Sequence, residues 1–190
     1  MMRNKVIFIS GEIASGKSSF ATYIRELGYK TVDTDQLARD VVKPGTKGLE
    51  LLKIHFPSAV VEGELDREIL GKIVFKDDEL REHLNALIHP LVTEALDQII
   101  EETHERLFVE VPLIHSSFVR ERADLILYLK LRKDKQLERL MERSLLSEEE
   151  ALSRIRSFKK QWPHGDVVIL NNGNLQELKA SAKDLVERIV

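Results

Sequence analysis

Residues Gly11 to Ser18 read GEIASGKS and fill every fixed position of the pattern GxxxxGK[ST]. The preceding run, Val6 to Ile9, is apolar and β-branched as a buried parallel strand requires, and Ser18 to Leu27 carries helical periodicity. Strand, glycine loop and helix form the setting in which backbone N–H groups turn inward on phosphate oxygens, backed by the positive end of the helix dipole. Gly11 and Gly16 permit the backbone angles of that wrapping. In such a loop Lys17 reaches the terminal phosphates of a nucleotide and the Ser18 hydroxyl ligates Mg²⁺. An ordinary glycine turn before a helix would satisfy the pattern alone, but both flanking elements argue for the phosphate site.

Length and charge bound the rest. A chain of 190 residues makes one domain with room for a small insertion, and is long enough to bury a sizeable core. Lys and Arg number 29 against 32 for Asp and Glu, a net charge of −3 with His neutral, and no block of like charge stands out. Nucleic acid is therefore not an expected partner. The absence of cysteine excludes disulfides, a catalytic thiol and thiolate metal sites, and suits a reducing compartment. The opening MMRNKVIFIS holds too short an apolar run for a signal peptide, and no stretch approaches about 18 apolar residues. The expectation is a soluble cytoplasmic protein, monomer or small homo-oligomer, with no membrane partner.

After the first helix, Gly28 is a stop signal and Tyr29 to Val32 reads as a short strand running into VDTD. Open α/β sheets do their chemistry at the carboxyl ends of parallel strands, which gives weight to Asp33 and Asp35. One carboxylate could take a proton from an attacking hydroxyl while the other orients substrate or, through water, the metal. The alternative is that Asp35 only N-caps a helix from Gln36 to Val42. Arg39 lies four residues after Asp35 on that helix, where spacing favours a surface ion pair over an anion clamp.

KPGTKG, Lys43 to Gly48, ends this helix, and from Leu49 to Thr103 the pattern is helical throughout, interrupted at Pro57, at VEGELDR (Val61 to Arg67) and at Pro90. A purely helical run of that length exceeds what a crossover needs and reads as an inserted substrate-binding lobe. His89 and Pro90 fall where one helix ends and the next begins, either shaping a kink or presenting an imidazole to substrate.

Leu107 to Val111, LFVEV, returns to the sheet, and its Glu110 is an acid in an otherwise apolar strand. A contact toward Mg²⁺ or an edge-facing ion pair would each offset its burial. Ala123 to Leu131 is another buried strand, followed by a helix from Lys133 to Arg143 that aligns Lys135, Arg139 and Arg143 on one face. Either Glu138 and Glu142 offset this row, or the arginines reach the transferring phosphoryl group. SEEE, Ser147 to Glu150, is a capping box that opens a basic helix with Arg154, Arg156, Lys159 and Lys160, readable as a mobile lid or as a solvated surface helix. WPHG (Trp162 to Gly165) turns the chain into a final buried strand, Val167 to Leu170. NNGN (Asn171 to Asn174) then leads to a terminal helix, Leu175 to Val190.

The fold class is thus α/β, a P-loop NTPase-type five-stranded parallel sheet flanked by helices, with a helical substrate-binding insertion and a small lid. The core takes 1–43, 104–143 and 162–190, the insertion about 44–103 and the lid about 144–161. This is the plan of a small-molecule kinase.

The chain also resembles one family, the dephospho-coenzyme A kinases. The resemblance is carried by the phosphate loop, VDTDQLARDVVKPG at Val32 to Gly45, GELDREILGKIVF at Gly63 to Phe75 and LNALIHPLV at Leu84 to Val92. It continues through VEVPLI at Val109 to Ile114, KQLERLMER at Lys135 to Arg143 and DVVILNNG at Asp166 to Gly173. What the resemblance implies is ATP-dependent phosphorylation of the ribose 3′-hydroxyl of dephospho-CoA, with ATP and Mg²⁺ as cofactors and a catalytic aspartate in the DTD motif. Asp35 is the implied base, with Asp33 as the alternative; Lys17 serves catalysis as well as binding. Gly11, Ala14, Ser15, Gly16, Lys17, Ser18 and Ser19 hold the phosphates, and Asn172 and Gly173 fall where adenine would rest. Asp33, Arg39 and His89 become acceptor-binding residues, Arg139 and Arg143 lid-base arginines, and Ser18 and Glu110 metal-site residues. Four positions depart from the family pattern: Glu12 and Ala14 where glycines are usual, His115 where an acid is common, and Phe158 in place of a glutamine.

Two other readings make different expectations. A nucleoside monophosphate kinase or another small-molecule kinase would share loop and lid without needing the DTDQLAR and IHP blocks. A GTP switch would need NKxD after a late strand. The strand ending at Leu170 is followed by Asn171, Asn172, Gly173 and Asn174 instead.

Overall fold

A computed structural model describes residues 5–111, 116–158 and 165–189. The chain runs β1 (Val6–Gly11), α1 (Lys17–Glu26), β2 (Lys30–Asp33), α2 (Thr34–Asp40) and α3 (Lys47–His55). A 3₁₀ turn (Pro57–Ala59) leads to β3 (Val60–Val61), β4 (Glu64–Leu65), α4 (Arg67–Phe75) and α5 (Asp78–Glu102). Then come β5 (Leu107–Glu110), α6 (Ser116–Arg122), β6 (Leu125–Lys130), α7 (Lys133–Ser144), α8 (Glu148–Phe158), β7 (Val167–Leu170) and α9 (Leu175–Ile189). Two compact units result, 1–33 with 103–190, and 34–102.

The first unit is a five-stranded sheet in the order β2-β5-β1-β6-β7, every neighbouring pair parallel. β1 lies at its centre and all six of its residues are buried, which is why its sequence is apolar without alternation. From the sheet, Ile7, Ile9, Phe108, Leu127 and Leu129 meet Phe20, Ala21 and Ile24 of α1 and Leu178, Ala182 and Val186 of α9. The four-residue spacing of the α9 set is one helical stripe. Fully burying each large side chain contributes roughly 1.5–3 kcal/mol, and eight of these eleven residues are wholly inaccessible. α1 ends as its sequence says it should: the N–H groups of Gly28 and Tyr29 return to the carbonyls of Arg25 and Ile24, a Schellman closure that feeds directly into β2.

β7 is the sheet edge. The expectation of a fully buried final strand is corrected there, because Val168 and Leu170 are 53% and 66% exposed. An edge strand is covered on one face while its outer face stays open, and an apolar run of four residues carries no sign of which position it takes.

The second unit is helical apart from a small hairpin. Val42, Leu52, Phe56, Ala59 and Leu70 form its buried centre. Asp66 and Asp77 start α4 and α5 by accepting hydrogen bonds from the N–H groups two and three residues on. Two expectations change here. Val60–Val61 pairs antiparallel with Glu64–Leu65 through Glu62 and Gly63, at φ 51° and 85°, where the sequence pattern read as helix and turn. Two consecutive left-handed residues make the I′ turn that matches strand twist, and two-residue strands are too short to show alternation. α5 also runs unbroken through Pro90, which the sequence marked as a helix boundary. Pro90 deprives the Ala86 carbonyl of its N–H donor, and one turn on the Thr93 hydroxyl donates to His89 O at 2.8 Å. α2 begins at Thr34, so Asp35 lies inside its first turn rather than capping a helix from Gln36.

Candidate functional site

The phosphate loop leaves the sheet centre between two strands that both end beside it. Gly11 is pressed so closely on β6 that a Cβ there would lie 2.4 Å from Leu129 O. Gly16, at φ 87°, caps α1, and a Cβ on it would lie 2.6 Å from Asn171 Nδ2. Only glycine fits either position. Between them Ala14 takes the left-handed conformation, φ 60°, at a cost of about 1–2 kcal/mol relative to an ordinary backbone. This is a position where the resemblance led us to expect glycine, and the backbone shows why.

Lys17 Nζ donates to Gly11 O at 3.1 Å and Glu12 O at 3.0 Å, which holds the ammonium at the loop. Ser15 is fully buried, and its Oγ has no hydrogen-bond partner among the described residues. Ser18 and Ser19 lie in the first turn of α1, where the free N–H groups and helix dipole favour an anion.

Glu110 closes β5, opposite Ile9 on one side and Asp33 on the other. The Ser18 hydroxyl donates to Glu110 Oε1 at 2.6 Å. The acid inside the apolar strand therefore faces the phosphate-loop serine, and Asp33 stands level with it at the end of β2. A hydroxyl and a carboxylate are hard oxygen donors of the kind Mg²⁺ accepts. Among the described residues no group of three or more His, Cys, Asp or Glu is arranged to hold a metal ion.

The segment from Asn171 to Gly173, expected beside adenine, is tied to the loop. Asn171 is buried; its N–H donates to Lys130 O at 2.9 Å and its Nδ2 to Ser15 O at 2.9 Å. Asn172 Oδ1 accepts from Arg132 N at 2.8 Å, and the Arg139 guanidinium donates to Gly173 O. Arg139 thus reaches the segment expected to hold the base, while Lys135 pairs with Glu138 at 2.7 Å and Arg143 is exposed. The pairing with Glu138 is the offset foreseen for this cationic row.

Glu12, the other departure from a glycine-rich loop, has a structural answer. Its Oε2 accepts from Leu131 N at 2.9 Å. Burial, with the Glu12 carboxylate as a second cause, pushes the Tyr128 phenol up from its ordinary value. Gln136 of α7, also buried, donates from Nε2 to Ile13 O at 3.1 Å. Asn171 and Gln136 were not singled out in the sequence. Gln136 stands one turn before Leu140 on α7, and nothing in the sequence names Ile13 as its partner.

In the second unit, Asp35 and Arg39 are exposed on α2, and Arg67 Nη2 donates to Arg39 O at 3.3 Å. His89 is exposed on α5. His115, Lys159, Lys160, Trp162 and the side chain of Phe158 lie outside the described residues.

A parallel sheet with a phosphate loop at its centre, a lysine and a serine on that loop and carboxylates at the neighbouring strand ends define a phosphate-loop kinase. The fold is shared with a shikimate kinase from Bacteroides thetaiotaomicron, which aligns over 97% of this chain and 98% of its own at a TM-score of 0.53 with 14% identity. Residues 5–177 match the family model described as dephospho-CoA kinase, and the chain belongs to that family. A dephospho-CoA kinase of Listeria monocytogenes is 37% identical over 195 residues, covering 98% of both chains. The structure of the dephospho-CoA kinase from Campylobacter jejuni superposes at a TM-score of 0.72 with 28% identity, covering 97% of this chain and 96% of that one.

Proposed function

We propose that this chain transfers the γ-phosphoryl group of ATP to the ribose 3′-hydroxyl of dephospho-CoA, giving coenzyme A and ADP in the final step of coenzyme A synthesis. The observation that carries the reading is the phosphate loop, with Lys17 and Ser18 in place, inside a chain that aligns with dephospho-CoA kinases over nearly its whole length. In the transfer the acceptor oxygen bonds to Pγ as the bond from Pγ to the β,γ-bridging oxygen breaks, and the hydroxyl proton passes to a carboxylate. Asp35 is that base in this reading, with Asp33 as the alternative. Two peptide units separate them, so their Cα atoms lie within about 7.6 Å whatever the backbone angles.

Lys17 and the loop N–H groups offset charge on the phosphates, and Arg139 and Arg143 supply further guanidinium charge from α7. Ser18 and Glu110 are the residues that would hold Mg²⁺, whose charge neutralises the β- and γ-oxygens when it is bound. Asn172 and Gly173 border the adenine, and Arg39 and His89 serve the acceptor from the helical unit. The reading takes a small-molecule acceptor rather than nucleic acid or membrane, a cytoplasmic setting, and a monomer or small homo-oligomer. The near balance of charge supports the choice of a small-molecule acceptor over nucleic acid.

The test is an acceptor panel offered with Mg·ATP, reading ADP release. Dephospho-CoA should turn over, and nucleoside monophosphates should not; the reverse result overturns the reading. Asp35→Asn should lower kcat by at least about 100-fold while leaving ATP affinity within about threefold. If Asp33→Asn does this and Asp35→Asn does not, the base is Asp33.

A further inference from the structure

The two unusual residues of the phosphate loop share a destination. Glu12 Oε2 accepts from the N–H of Leu131, where β6 runs into α7, so the carboxylate sits beside the positive end of α7. The Ile13 carbonyl accepts from Gln136 on the same helix. The side chains of Ile13 and Ala14 pack on a cluster made by Leu140 of α7 with Ala151 and Ile155 of α8, two residues of which are at most 2% exposed. Three consecutive loop residues are therefore fastened to α7, α8 and the residue leading into α7 by one hydrogen bond to a carboxylate, one amide hydrogen bond and the apolar packing of Ile13 and Ala14.

We propose that Glu12 and Ala14 are positioning residues that couple the phosphate loop to α7 and α8, so that binding of the ATP phosphates and ordering of this helical pair are one event. A glycine at residue 12 would have no carboxylate to reach Leu131, and a glycine at residue 14 would have no methyl to pack on the cluster of Leu140, Ala151 and Ile155. Ala14 holds its left-handed angle because its neighbours on both sides are tied, Glu12 and Ile13 to the β6–α7 segment and Ser15 to Asn171. The charge on Glu12 is directed away from the phosphates by its bond to Leu131. The inference rests on ATP being the donor.

Three variants test it, each read by calorimetric affinity for Mg·ATP, by amide exchange in α8, by melting temperature and by steady-state kinetics. E12A should weaken ATP binding about 10-fold and raise KM for ATP to match, with kcat changed less than threefold and KM for dephospho-CoA unchanged. E12Q, whose amide oxygen can accept from Leu131, should recover most of that loss. A14G should speed exchange at Ala151 and Ile155, with and without ATP, at a melting temperature within about 2 °C of wild type, since relief of the left-handed strain offsets the lost contact.

The coupling is overturned if E12A binds ATP like wild type, if E12Q is as impaired as E12A, or if α8 in A14G exchanges at the wild-type rate. Wild-type turnover of dephospho-CoA is measured alongside. Failure there would count against the acceptor assignment, whereas ATP affinity and α8 exchange test the coupling independently of the acceptor.

Discussion

Lys17 shows how much one residue's role can be read before and after the structure. The sequence places it at the lysine position of a phosphate loop, and the structure adds that its ammonium is already drawn to the loop by the carbonyls of Gly11 and Glu12. Those two contacts hold the ammonium at the loop, and in the proposed function its charge serves the phosphates. Lys17→Ala should therefore lower kcat by at least about 100-fold while the circular dichroism spectrum stays that of wild type; a rate near wild type would remove the loop from the mechanism. Gly11, Gly16, Ser18 and Lys17 were legible because their chemistry depends on residues within one short stretch. Asn171 and Gln136 were not, because each contacts the loop from more than 100 positions away, and no local pattern records such a pair. Glu110 lies between these cases: an acid in an apolar strand announces that it has a partner, but not that the partner is Ser18.

At the level of elements, strong local signals were read correctly and context-dependent ones were not. The capping box before α8 is a clear success. Glu150 Oε2 accepts from the N–H of Ser147 at 2.9 Å and from its hydroxyl at 2.8 Å, while the Ser147 hydroxyl accepts from Glu150 N at 3.4 Å. These bonds, the backbone one first, hold the Glu150 carboxyl below its ordinary value of 4.5. The folded state thus favours the ionised form, and the cap's contribution is complete above the unfolded value and disappears as pH falls through the lowered folded value. By nuclear magnetic resonance the Glu150 carboxyl should titrate below its ordinary value of 4.5. In Glu150→Gln, melting temperatures should fall short of wild type near neutral pH and converge with it in acid; a constant offset across this range would argue against the cap. The α5 boundary failed for the opposite reason. Proline breaks a helix only when nothing else holds it, and α5 is anchored on both sides of Pro90 by Leu84, Leu87 and Ile88 before it and Val92 and Leu96 after it. The tiny β3–β4 hairpin and the exposure of β7 likewise depend on what surrounds them, which is settled by tertiary packing rather than by their own residues.

At the scale of the whole chain, the division at Asp33 and Thr34 falls, Asp33 excepted, between the residues proposed to bind the donor and those proposed to bind the acceptor. The loop, the Asn171 to Gly173 segment and α7 belong to the unit formed by 1–33 and 103–190, while Asp35, Arg39 and His89 belong to 34–102. If the proposed roles are right, the two substrates should leave separate footprints. Mg·ATP should slow amide exchange in β1, the loop, the start of α1 and the segment before α9. Dephospho-CoA should do so in α2 and α5. Each ligand at 100 times its Kd adds about 2.7 kcal/mol of stability, which for a chain of this size raises Tm by about 5–10 °C. The increment from ATP should vanish in Lys17→Ala, while the increment from dephospho-CoA should survive, because no residue assigned to the acceptor except Asp33 lies in the unit that holds the loop. Loss of both increments in Lys17→Ala would mean that acceptor binding requires the loaded loop. Protection of β1 and α1 by dephospho-CoA alone would move the acceptor off the helical unit and take Arg39 and His89 out of the site.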